Sequence, residues 1–138
     1  MTPRRRTRTQ PCDEHHGRTR IDAASKFLEV AQLLRTEDEP ATRSVAASLA
    51  VLAGIAAADA ACCKALGRRS RGDDHHDAEA LVAEVEPGGR GAVASLRRLI
   101  DLKDKAQYGI VFVSKDDLKL ATKHAERLVA FASEVLSR

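Results

Sequence analysis

The stretch from Val45 to Ala61 constrains this chain more than any other. It is apolar nearly all round, it is dominated by alanine, and it holds no aromatic residue. Alanine and leucine lose little side-chain freedom in a helix, so the segment predicts a helix. A helix apolar on every side needs partners on several sides, which makes this the central helix of an all-α fold. Its small residues, Gly54 among them, let neighbours approach closely.

The remaining elements follow from periodicity. Ala24, Phe27, Leu28, Ala31 and Leu34 recur at i, i+3, i+4, i+7 spacing and predict a first helix over about 21–34. Pro40 cannot continue that helix but suits the first turn of the next, over about 41–66, with Gly67 as its stop. Asp73 or Asp74 is placed to cap a third helix that ends near Pro87, with Ala78, Leu81, Val82 and Val85 inward. A fourth spans about 92–107. Ser114 with Asp117 resembles a capping box and opens the last helix, whose apolar stripe runs Leu118, Ala121, Ala125, Leu128, Ala132, Val135. Residues 109–113 read as a short extended connection. Five amphipathic helices on short links predict an up-and-down bundle within one domain over 21–138.

Residues 1–20 carry six arginines (Arg4, Arg5, Arg6, Arg8, Arg18 and Arg20) against Asp13 and Glu14, while the rest of the chain is close to neutral. With almost no apolar side chains they are expected to form a disordered basic tail. Cys12, Cys62 and Cys63 are the cysteines. An odd count, two of them adjacent in a helical run, argues against a disulfide framework and for a reducing cytoplasm. The apolar run from Val45 to Ala58, ended by Asp59, is too short to cross a bilayer. No apolar segment follows the N-terminal arginines, so no secretory signal or membrane attachment is expected.

Several clusters could carry chemistry. Cys12, His15 and His16 are possible zinc ligands, but no matching second pair stands at a knuckle spacing, so neither metal nor cofactor is expected. The arginine run 4–8 could neutralise phosphates, though no aromatic is interleaved for base stacking. The densest polar cluster is 68–77, with Arg68, Arg69, Arg71, His75 and His76. Arginine is a permanent cation suited to phosphate, and histidine exchanges protons near neutral pH. Arg71 and His76 are the candidate catalytic pair, with Arg69 and His75 as binding residues. Asp73, Asp74 and Asp77 could equally cap the helix and pair with these arginines. Lys103 and Tyr108 are a second candidate binding pair. Their five-residue separation rotates them about 140° apart on a helix, so they share a face only where the helix end unwinds. The ring of Tyr108 has a structural alternative, packing at the helix end with its hydroxyl on a backbone partner. His124, beside the last stripe, reads as a satisfied or exposed helical histidine.

In order along the chain, these features resemble a HEPN domain. The Ala-rich helix 46–60 (AASLAVLAGIAAADA) is similar to that family's second helix, a His-containing loop follows at Asp74-His75, and the segment 99–109 (LIDLKDKAQYG) leads to Val113, Ser114 and a final amphipathic helix. The resemblance covers about 21–136. It implies a helical bundle that homodimerises. Many members are metal-independent endoribonucleases of toxin–antitoxin or defence systems, often paired with a nucleotidyltransferase-type protein, with an R-x4-6-H motif assembled across the dimer. Others lack the motif and bind RNA, nucleotide or a partner protein. Here Lys103 stands where the segment's Arg is expected and Tyr108 where a His completes the motif. Lysine lacks the bidentate fork, and a tyrosine with a pKa of about 10 is a poor base at neutral pH. Arg71-x4-His76 keeps the spacing one connection earlier. The expected function is therefore a noncatalytic HEPN-like binding module, with a metal-independent ribonuclease and a purely structural dimerisation module as the alternatives.

Overall fold

The computed structural model describes residues 8–71, 75–109 and 112–138. Among them lie five α-helices: α1 (Glu14–Leu34), α2 (Pro40–Leu66), α3 (His75–Ala83), α4 (Gly89–Tyr108) and α5 (Lys115–Leu136). The all-α bundle expected from periodicity is the observed fold. α2 packs against all four other helices and is its centre.

The termini of these helices follow local chemistry. Pro40 occupies the first turn of α2, and Gly67 closes it in the left-handed conformation at φ 71°. Ser114 and Asp117 form the expected reciprocal capping box of α5. The residues proposed to cap α3, Asp73 and Asp74, lie outside the described residues, as do Ile110 and Val111 of the connection into α5.

The core is made of small residues and a few large ones. Alanines 50, 53, 56, 57, 60 and 61 of α2 are fully buried. Leu81, Leu96, Leu99, Leu118 and Leu128 supply most of the bulk, each contributing roughly 1.5–3 kcal/mol by leaving water. Gly54 marks the tightest approach to α2: a Cβ there lands on Leu99 Cδ1 and comes within 3.1 Å of Leu128 Cδ1. A second, smaller cluster joins Ala46 and Ala47 at the start of α2 to Ala106, Val113 and Leu118. It defines one end of the bundle.

Three expectations need correction. The apolar run does not stop at Asp59: Ala60, Ala61, Cys62 and Cys63 beyond it are buried as well, within an α2 of 27 residues. By length and hydropathy α2 could therefore cross a membrane, and 67% of its most apolar window is buried by its neighbours. Next, the described part of the basic segment, residues 8–20, is built into the fold. Thr9–Pro11 (β1) pairs antiparallel with Arg68–Ser70 (β2), Gln10 opposite Arg69, and α1 begins at Glu14 rather than near 21. The two added turns of α1 have no apolar stripe, so hydropathy could not reveal them. They are held instead by polar contacts. Asp13 and His16 form a reciprocal cap, Asp13 N–H donating to His16 Nδ1 at 3.0 Å and His16 N–H to Asp13 Oδ1 at 2.9 Å. Glu14 bridges Arg18 and Lys64 of α2, both at 3.0 Å. Finally, Cys12 and Cys63 form a disulfide, leaving Cys62 as a buried free thiol. Adjacency in sequence prevents Cys62 and Cys63 from pairing with each other, but it left Cys63 free to reach a cysteine 51 positions away. Arg4, Arg5 and Arg6 lie outside the described residues.

Candidate functional site: a basic cleft around Asp59

The C-terminal end of α2 gathers the ribbon β1–β2 and the start of α1. Asp59 lies there, one of the few charged groups within the core, its side chain 11% exposed. Arg20 of α1 reaches its Oδ2 with Nη2 at 3.5 Å, and Arg69 of β2 reaches the same oxygen with Nη1 at 3.6 Å. Arg69 also donates to Gln10 Oε1 at 3.3 Å. These ion pairs are long compared with the 2.7–2.9 Å usual for charge-assisted bonds. Burial accordingly outweighs both arginines and pushes the Asp59 carboxyl above its ordinary range. Arg20 Nε is buried with no hydrogen-bond partner among the described residues. Both arginine side chains are about one-third exposed and line a cleft of about 370 Å³, together with Gln10, Cys12, His15 and His16.

The surrounding surface is basic. Arg71 is exposed at the end of the ribbon, where its N–H donates to Arg8 O at 3.0 Å. Arg68 is engaged by Glu84 at 3.0 Å. The three arginines of 68–71 thus have different circumstances: Arg68 is paired, Arg69 lines the cleft and Arg71 faces solvent.

His76, on the first turn of α3, is 85% exposed. Its Nδ1 lies 3.3 Å from Oε2 of the buried Glu79, whose other oxygen is 3.4 Å from Arg97 Nε. The side chain of His75 lies outside the described residues. Cys12 is committed to its disulfide and His16 to the α1 cap.

Lys103 and Tyr108 belong elsewhere. They sit on the last turns of α4, next to the cluster of Ala46, Ala47 and Ala106 at the start of α2. From Ala47 to Leu66 is about 29 Å along a helix, so one compact ligand cannot touch both Tyr108 and Arg69. The Tyr108 ring does not pack against the helix end; the residue is 77% exposed.

A second cleft, of about 410 Å³, opens between α4 and α5. Arg98, Asp101 and Asp117 line it, and His124 at its edge accepts or donates at 3.1 Å with Ser95 Oγ. That is the satisfied helical histidine the sequence suggested. Burial, followed by the charges of Arg127, Arg98 and Lys123, holds its pKa below the ordinary histidine value.

The sequence reading missed Arg20 and Asp59. Arg20 was taken as tail, and Asp59 as the end of the apolar run. An acid inside a run of alanines was the available signal, because a lone buried carboxylate requires partners. Compared with known proteins, the chain matches no family model, and no curated protein matches its sequence.

Proposed function

We propose that this protein is a HEPN-like module that binds RNA through its phosphates at the Asp59 cleft and does not cleave it. The convergence of Arg20 and Arg69 on one oxygen of Asp59 carries the reading. Guanidinium forks match phosphate oxygens bidentately, and one carboxylate offsets only one of the two charges. The long ion pairs leave N–H groups of both arginines available to an incoming phosphate. Arg8 and Arg71 on the ribbon extend the positive surface beyond the cleft, as contact with a polyanionic backbone requires.

The absence of cleavage rests on the replacement of the family's Arg and His by Lys103 and Tyr108. It rests also on His76, whose ring is turned to the carboxylate of Glu79 and is largely exposed to water. The test is incubation of the purified protein with labelled single-stranded RNA in the presence of a chelator. The expected result is salt-dependent binding with intact RNA. Metal-independent cleavage that disappears in Arg71→Ala and His76→Ala overturns the noncatalytic reading in favour of a ribonuclease.

A further inference from the structure

We propose that the Cys12–Cys63 disulfide is a reducible clamp that builds the basic cleft, so that the redox state of this one bond controls the site. The inference concerns regulation of the cleft just described and rests on that reading for its ligand, but the clamp itself is a property of the chain.

Its basis is geometric. Cys12 lies between β1 and the cap of α1 and forms part of the cleft wall. Cys63 follows Asp59 by one helical turn, on the same face of α2. The bond therefore fastens the segment that carries Gln10, His15 and Arg20 to the helix that carries their acidic anchor. Before Gly17, where α1 comes against Ala60 and Cys63 of α2, little else does so. Between Arg8 and Arg20 almost every residue is exposed or half-exposed, Gly17 being the buried one. The ladder is three residues long on each strand, supplemented by Cys12 N–H to Gly67 O and Arg71 N–H to Arg8 O, both 3.0 Å. A two-stranded ribbon of that length has no independent stability in water. The polar contacts Glu14–Lys64 and Arg20–Asp59 are solvent-facing or long, and such pairs contribute little by themselves.

The chemistry is thiol–disulfide exchange with a dithiol reductant. Its thiolate attacks Sγ of Cys12, the half-exposed partner, and the S–S bond breaks with its electron pair passing to Sγ of Cys63, which takes a proton. The second thiol of the reductant then displaces Cys12, which also leaves as a thiol. Two electrons enter the protein, and the reductant departs as its own disulfide. Cys62 is no competitor as an internal thiolate: burial pushes its thiol up to about 12. In a reducing compartment the bond opens and in an oxidising one it closes, so the clamp makes cleft assembly follow the surroundings.

The test compares the full chain oxidised and after dithiothreitol, with Cys12→Ser and Cys62→Ser variants alongside. Free thiols are counted, and amide hydrogen exchange is followed at 9–12 and 68–71, with α5 as the internal reference. One free thiol is expected in the oxidised protein and three after reduction. Protection at the ribbon should fall by about tenfold or more on reduction and in Cys12→Ser, while α5 is unchanged. Cys62→Ser should behave as the wild type. Three free thiols in the air-oxidised protein, or unchanged ribbon protection after full reduction, overturns the clamp. Affinity for a fluorescein-labelled oligouridylate is read on the same samples and should fall on reduction. Ribbon opening with an unchanged affinity overturns control of the site. Ribbon opening with no binding in either state supports the clamp and overturns RNA as the ligand.

Discussion

Asp59 and Cys63 stand one helical turn apart on the same face of α2, the first holding Arg20 and Arg69 and the second bonded to Cys12. The ion cluster and the disulfide therefore act on the same piece of chain, the segment from Arg8 to Arg20. That relationship turns an apolar core helix into the wall of a polar cleft.

Asp59→Asn tests the electrostatics of the cluster. Burial holds the Asp59 carboxyl above its unfolded value. A raised acid favours folding in its protonated form, so its contribution is present below the unfolded pKa and is lost as pH rises through the folded one. Asparagine mimics the protonated acid at every pH. In urea denaturation, Asp59→Asn should gain stability relative to wild type as pH rises from about 4 towards neutrality. A gap that instead favours wild type at neutral pH shows that the two arginines outweigh burial.

Gly54→Val tests the close approach at the centre of the bundle. The new side chain meets Leu99 and Leu128 in a packed interior. Overpacking of this kind costs about 1–3 kcal/mol. Chemical denaturation should show a loss in that range or larger, and an unchanged midpoint contradicts the packing described.

Ser114→Ala removes the side chain that accepts the Asp117 N–H at 3.0 Å. Loss of such a cap costs about 0.5–2 kcal/mol. The same variant should raise exchange in the first turn of α5 while leaving the Arg8–Arg20 segment unaffected.

His124 offers a spectroscopic check. Its folded pKa lies below the ordinary value because burial and three neighbouring cations disfavour the charged ring. An NMR titration should place its midpoint under about 6.5. The stability it contributes is present above the unfolded pKa and is lost as pH falls through the folded one. A midpoint above the ordinary value contradicts the environment described.

The bundle was legible because its helices advertise themselves. α5 has a complete apolar stripe and a two-residue cap, and α2 is so apolar that only a central position suits it. The site was hidden for three physical reasons. The first turns of α1 are stabilised by a cap, ion pairs and a disulfide, none of which produces hydrophobic periodicity. The ribbon is three residues per strand, too short for alternation to register. The cluster of Arg20, Asp59 and Arg69 joins residues far apart in sequence, and each alone reads as tail, end of an apolar run or loop. The Arg69 candidate was visible from charge density. Its separation from Lys103 and Tyr108 emerges only once the end of α4 is seen beside the start of α2, at the other end of the bundle.

The most direct test of the cleft as the RNA site is equilibrium binding of oligouridylate to the oxidised protein at two salt concentrations. Arg20→Gln, Arg69→Gln and Lys103→Gln are compared with wild type. Each loses one cation, so a general charge effect weakens all three equally. The expected result is a loss of about tenfold for Arg20→Gln and for Arg69→Gln, with a shallower salt slope, and little change for Lys103→Gln at the far end. Equal affinities for wild type and both arginine variants, or a loss confined to Lys103→Gln, contradicts the assignment.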